Sequence, residues 1–202
     1  MVQKENGLRY AKLIHVSVDN GKTDNSNKVY IMEELSDGRI KCEYGRVGKS
    51  LTTEYKPSSK WSSVYSQKTG KSKGYTDVTD LVVETISDDT KVDNKVVDIK
   101  DSIVKKLIED LMSFANKSIQ RNYKVTQEAV SEQQVNAAQE VINKISSLIK
   151  LNVDLQELNQ HLLKLYTIIP RKMDNVKNHL FIDIKSSSDL LLAQQKLDNE
   201  QS

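Results

Sequence analysis

The chain has 202 residues, 37% of them apolar and 29% charged, with a formal net charge of +2. That length suits one large domain or two small ones. No apolar run of about eighteen residues exists, so no membrane-spanning helix is expected. The single cysteine, Cys42, excludes an internal disulfide, and the three histidines are too scattered for a zinc cluster.

The N-terminal MVQKENGLRYAK lacks the apolar core of a signal peptide. Together with the lone cysteine this predicts an intracellular protein, nuclear in a cell that has a nucleus and cytoplasmic otherwise.

The first third reads as β-structure. Arg9 to Val18 is apolar and β-branched, and the polar run DNGKTDNSN after it is a loop. Lys28–Leu35 is a second strand, and Ser36-Asp37-Gly38 supplies a hairpin turn. Arg39–Tyr44 alternates as a half-buried third strand, Gly45 and Gly48 interrupt it, and Leu51–Tyr55 resumes as a fourth. Pro57-Ser58-Ser59 opens a short helix with Trp61, Val64 and Tyr65 on one face. That helix is stopped at Gly70, just past a basic last turn.

Ile86 to Asp98 is polar and aperiodic, a linker. The period then changes. Ile103, Val104, Leu107, Ile108, Leu111 and Met112 recur at helical spacing. Ser131-Glu-Gln-Gln134 reads as a capping box opening a second helix that carries Val135, Ala138, Val141, Ile142, Ile145, Leu148 and Ile149. Asp154-Leu-Gln-Glu157 opens a third, with Leu155, Leu158, Leu162, Leu165 and Ile169, stopped by Pro170. A short helix over LLLAQQKL follows Ser187-Ser188-Asp189. The expected class is therefore α+β: a small antiparallel sheet with one helix over residues 1–85, a linker over 86–98, and an all-α bundle over 99–202.

The stretch EYGRVGKS at 43–50 ends like a phosphate-binding P-loop. Such a loop needs glycine five positions before its Gly-Lys-Ser ending, because the backbone wraps a phosphate there. Glu43 stands at that position and would oppose the phosphates. The segment is not a nucleotide-hydrolysing loop.

Charge is unevenly placed. Between Arg39 and Tyr75 nine basic residues face only Glu43 and Glu54, a surplus of seven, whereas Leu81–Ser202 carries 16 basic and 18 acidic residues. A basic segment of this kind fits contact with a polyanion, or a solvated lysine-rich surface.

Three elements in order resemble a WGR domain. Asn27-Lys-Val-Tyr30 resembles the Asn-x-x-Tyr of its long strand, and Tyr44-Gly45-Arg46-Val47-Gly48 its Trp-Gly-Arg-Val-Gly turn, with Tyr for the usual Trp. Trp61 to Gly70 resembles its aromatic helix ending in Lys-Thr-Gly, with an aromatic at Tyr75 beyond. The second half resembles the regulatory domain of poly(ADP-ribose) polymerases. Val130–Ala138 is similar to its Leu-Ser-x-x-Gln-Ile-x-x-Ala helix start, and Leu165–Pro170 to its Phe-Tyr-Thr-Leu-Ile-Pro, with Arg171 where His usually follows.

The resemblance implies a module that binds DNA strand breaks and restrains or docks an ADP-ribosyltransferase, in cis or in trans. The transferase itself would need roughly two hundred further residues, and the chain ends at Ser202, so no catalytic residue, cofactor or small-molecule substrate is expected. The resemblance and the charge together nominate Asn27, Tyr44, Gly45, Arg46, Lys49, Lys68, Lys71 and Lys73 as DNA contacts.

Other roles stand beside these. Arg46 could clamp a phosphate bidentately or hold the turn through neighbouring groups. Tyr44 could offer a base or sugar a flat face, or pack inward. Asn27 could donate to a phosphate or cap the preceding loop. Trp61, Tyr166 and Cys42 read as packing residues. A protein-docking adaptor with no nucleic-acid role is the competing function.

Overall fold

The computed structural model describes residues 2–3, 7–18, 25–82, 130–151 and 154–181, and five helical positions, Lys105, Lys106, Asp110, Leu111 and Ser113. The linker at 86–98, the helix expected after Asp189 and most of the one expected over 103–112 lie outside the described residues.

An antiparallel sheet runs in sequence order through β1 (Val2–Gln3), β2 (Arg9–Ser17), β3 (Ser26–Glu34), β4 (Arg39–Arg46) and β5 (Thr52–Pro57). A 3-10 turn, Ser58–Lys60, leads into α1 (Trp61–Thr69), and the two-residue strand β6 (Thr76–Asp77) pairs with β2. α2 (Thr79–Val82), α3 (Glu132–Lys150) and α4 (Leu155–Ile168) follow, then a 3-10 turn at Val176–His179. The class is α+β, as the periodicities predict.

The order of the sheet follows from its turns. Asp37 and Gly38 close the β3–β4 hairpin, and Gly38 has φ 81°, a conformation that costs other residues because of their Cβ. The register opposes Tyr30 to Tyr44 and Val29 to Gly45. Gly70 stops α1 by a different route from the expected one. Its backbone is extended (φ −65°, ψ 157°), and an added Cβ would lie 3.0 Å from the Ser66 carbonyl. Close approach, not a left-handed turn, selects glycine there.

Alternation sorts the sheet's two faces. Ala11, Leu13, Tyr30, Met32, Ile40 and Cys42 form one cluster with Trp61 and Val64 of α1. Ile14, Val29, Val47 and Val78 form another on the opposite face, and Val16 and Leu81 join it to the helical core. The sheet is thus covered by α1 on one side and approached by α4 on the other.

The capping box at Ser131 forms in full: Gln134 N–H donates to Ser131 Oγ (3.1 Å) and Ser131 N–H to Gln134 Oε1 (3.2 Å). Two helical assignments need correction, and the first is Leu111, expected on a buried helix face but 59% exposed. Val135, expected in the core, is 52% exposed, and Gln134 is buried instead. The box turns the Gln134 amide inward, where Nε2 donates to the Ile168 carbonyl at the far end of α4 (2.9 Å). The Asp154 side chain makes no capping bond at the start of α4.

After Pro170 the chain crosses back to the sheet. Asn159 brackets Phe181 with two bonds, donating to its carbonyl (3.0 Å) and accepting from its N–H (2.8 Å). Tyr166 Oη donates to the His179 carbonyl (2.9 Å). Residues 171–181 are thereby fastened to α4.

Asp77 fixes the entry to α2. It accepts from Tyr65 Oη (2.5 Å), from Thr79 N–H (2.9 Å) and from Thr79 Oγ1. Burial alone pushes its pKa up, but the bonds from Thr79 and Tyr65 outweigh that and leave the carboxyl below its ordinary value. The Tyr65 hydroxyl is correspondingly pushed up to about 12 by its bond to Asp77 and by burial. A carboxylate depressed in the fold contributes stability above its unfolded value, and that stability is lost as pH falls. Thermal midpoints should therefore drop as pH falls below about 4, and Asp77→Asn should flatten this part of the profile. An unchanged acid limb in the variant would remove Asp77 from the account.

Candidate nucleic-acid interface

The turn at 43–50 finds its partners within the chain. β4 carries Arg46 to the sheet end where residues 171–176 arrive. Arg46 Nε donates to the Met173 carbonyl (3.0 Å), and Nη2 reaches the carbonyls of Met173 (2.7 Å) and Asp174 (2.7 Å). Nη1 donates to the Asn25 carbonyl (3.1 Å) and Nη2 to Asn25 Oδ1 (3.0 Å). Asn25 completes the arrangement: its Oδ1 accepts from Val176 N–H (2.6 Å), and its Nδ2 donates to the Asp174 carbonyl.

Asn27 is fully buried, and its Nδ2 donates to the Arg171 carbonyl (2.9 Å). The Val47 N–H closes the turn onto the Asn27 carbonyl (3.0 Å). Gly48 has φ 84°, and an added Cβ would fall 2.4 Å from Lys172 Cγ. Gly45 is packed against Leu51, whose Cδ2 would lie 3.1 Å from a Cβ. Lys49 extends toward Asp174 at the surface (3.4 Å).

The residues offered to a phosphate at this turn are thus spent on the chain itself. Arg46, Asn27 and Gly48 join the sheet to the segment that follows α4. Arg46 takes the bracing role left open by the sequence, with carbonyls as its partners. Asn25, central to this junction, carried no sequence signal, since it sits in a polar loop and its partners lie about 150 positions away.

A second cluster lies on the α1 face. Tyr30 and Tyr44, opposed in the β3–β4 register, stack with ring centroids 5.4 Å apart and planes 14° from parallel. Tyr75 meets Tyr30 edge-on at 6.3 Å. Into this group α1 places Lys68, its Nζ 4.0 Å from the Tyr30 centroid and 5.8 Å from those of Tyr44 and Tyr75. Burial holds the Tyr30 hydroxyl well above its ordinary pKa, so that ring meets the ammonium as a neutral π face. Burial, with Lys73 and Lys56 nearby, draws Lys68 below the ordinary lysine value.

Tyr30 is 2% exposed and forms the floor, while Tyr44 and Tyr75 remain half-buried at the rim. Lys71 and Lys73 stand exposed on the turn between α1 and Tyr75. Tyr75 also meets His15, whose Nδ1 is 2.9 Å from the Gly74 carbonyl.

Ion pairs sort the basic segment further. Arg39 pairs with Asp37, Lys41 with Glu43 and Lys56 with Glu54. Lys60, Lys68, Lys71 and Lys73 have no acidic partner within 4.0 Å among the described residues. The structure therefore brings Tyr44 and Lys68 together with Lys73 nearby, leaves Lys71 exposed on the adjoining turn, and sends Asn27 and Arg46 to the junction. Tyr30 and Tyr75 join the α1 face as ring partners; the signal for Tyr30 is the aromatic opposition across β3 and β4, and that for Tyr75 is the aromatic that follows Lys68-Thr69-Gly70.

Among the described residues no group of three or more His, Cys, Asp or Glu could hold a metal ion, and no helix is long and apolar enough to cross a membrane.

No family model matches the chain. It is 33% identical over 192 residues to the uncharacterized protein 101L of Invertebrate iridescent virus 6, an alignment covering 94% of this chain and 75% of that protein.

Proposed function

The chain belongs to the family of that viral protein, and we propose that it is a non-catalytic DNA-binding regulator. In this reading the α1 face grips a DNA strand break or end, and the helical part regulates or docks an ADP-ribosyltransferase in cis or in trans. The observation that carries it is the Lys68 ammonium seated on three tyrosine rings, with Lys73 nearby and Lys71 exposed on the turn that follows α1. Lysines neutralise phosphates without reading sequence, and half-buried tyrosine rims offer a terminal sugar or base a flat apolar face. Residues 171–176, held by Arg46 and Asn27, link the sheet that carries that face to the helices. The resemblance to a WGR domain followed by a polymerase regulatory domain supports the same reading.

The test is binding to a nicked DNA hairpin and to the same hairpin sealed, across a salt series. A preference for the nick is expected, weakening as salt rises. Lys71→Gln with Lys73→Gln should shallow the slope of log affinity against log salt by about 2, roughly one unit per phosphate contact. Absence of binding even at low salt would overturn the proposal.

One observation favours a second reading, an adaptor whose helices dock a protein: the WGR-like arginine is occupied by carbonyls of its own chain. Docking driven by apolar burial would depend little on salt, which separates the two.

A further inference from the structure

The sheet ends at β5, whose only strand partner among the described residues is β4. Thr52, Thr53, Glu54, Tyr55 and Pro57 are exposed, and the Tyr55 ring, 51% exposed, lies under the Arg39 guanidinium at 4.8 Å. An edge of this kind is a template for another strand unless its chemistry forbids pairing.

The direction of its free backbone groups can be derived. Ser58 N–H donates to the Gly38 carbonyl (2.9 Å), one step beyond the Arg39–Pro57 pair. Antiparallel ladders alternate, so Lys56, Glu54 and Thr52 turn their N–H and C=O groups toward β4. Thr53 and Tyr55 then point both groups outward, and Pro57, lacking an N–H, points out only a carbonyl.

We propose that β5 pairs with β5 of a second copy of this chain, antiparallel about a two-fold axis through Tyr55. In that register the two Tyr55 residues exchange both backbone bonds, and each Thr53 N–H meets the other copy's Pro57 carbonyl. The return bond of each such pair is missing, because Pro57 has no N–H to give the Thr53 carbonyl, and those two carbonyls stay with solvent at the ends of the ladder. On the neighbouring positions Glu54 lies opposite the second copy's Lys56, and Lys56 opposite its Glu54. These are non-hydrogen-bonded pairs, the closer kind, where opposite charges attract most.

The alternative axes fail on charge. An axis through Glu54 opposes two carboxylates, one through Lys56 opposes two ammoniums, and one through Thr53 sets Glu54 against Thr52 and Lys56 against Ser50. Only Tyr55 satisfies both charges at once. The Glu54–Lys56 pair within one strand (2.8 Å) is exposed and salt-screened, so exchanging it for two pairs across the axis costs little. The contact is isologous and closes at two copies. Two short strands bury little against the roughly 1,000 Å² of a lasting interface, so the dimer belongs to high protein concentration.

Sedimentation equilibrium of the whole chain over a wide concentration range tests this, and it is independent of any DNA binding. A monomer–dimer equilibrium is expected. Lys56→Glu, which opposes carboxylates on both sides of the axis, should weaken it about tenfold. Adding Glu54→Lys to Lys56→Glu restores the complementarity in reverse and should restore association. Tyr55→Cys should form a disulfide-linked dimer on mild oxidation, because the two Cα atoms of a hydrogen-bonded pair lie about 5.5 Å apart. Thr53→Cys should not, since the axis puts Pro57 opposite it. Thermal midpoints confirm that each variant is folded. A chain that stays monomeric at the highest concentration, or a dimer that the single charge reversal leaves intact, overturns the proposal.

Discussion

Arg46→Ala should lower the stability of the chain by about 2–4 kcal/mol, from the loss of charge-assisted bonds and the stranding of their acceptors. The guanidinium satisfies the carbonyls of Asn25, Met173 and Asp174 together with the Asn25 amide oxygen. Met173 is 3% exposed, so its carbonyl has little access to replacement solvent, whereas Asp174 is exposed and can rehydrate. That difference keeps the expected loss below the sum of the bonds. Arg46→Lys should rescue little, because one ammonium cannot reproduce a planar fork that bonds acceptors on two sides. The measurement is urea denaturation with amide exchange at Val176, whose N–H is tied to Asn25 (2.6 Å). Accelerated exchange at Val176, with the strands themselves still protected, would place the damage at the junction. A variant of unchanged stability would mean that the bonds to Met173 and Asp174 do not hold the two parts together.

The same junction marks the limit of what the sequence discloses. Periodicity locates the strands to within two or three residues, because alternation over Arg9–Ser17 and Arg39–Arg46 records which side chains meet a core. The capping box at Ser131 is legible because every partner lies within one turn. Val135 was misplaced for a tertiary reason: Gln134 took the inward position once the Ile168 carbonyl was there to receive its amide. Asn25 had no local signature at all, since its bonds depend on where residues 174–176 come to rest.

The candidate site divides in the same way. Lysine density and the aromatic at Tyr44 were readable, but the partition was not. Strand register brings Tyr44 to Tyr30 and Lys68. At the end of β4, two residues farther on, Arg46 meets the arriving segment instead. Adjacent members of one motif thus serve different ends, and only the path of the chain after Pro170 distinguishes them.

Trp61→Ala should cost about 3–5 kcal/mol, the range for deleting a buried aromatic. The side chain is 1% exposed and packs with Ala11, Leu13, Met32, Ile40 and Cys42 under the sheet. Arg9 lies over its ring at 4.8 Å and is itself held by Glu34 at 2.7 Å, so the indole also supports a partly buried ion pair. α1 has nine residues, of which only Trp61 and Val64 are buried. A helix that short is marginal in water without its packing. Truncating Trp61 should therefore loosen all of α1, and with it the placement of Lys68 on Tyr30. Trp61→Phe should recover much of the stability, since a ring refills most of the cavity. Denaturation followed by far-ultraviolet circular dichroism reads the first effect, and the salt-dependent affinity for a nicked hairpin reads the second. A loss well under 1 kcal/mol in Trp61→Ala would contradict the packing argument. A stable Trp61→Phe chain that nevertheless loses DNA affinity would instead place the indole itself in the contact, a role that its burial under Arg9 argues against.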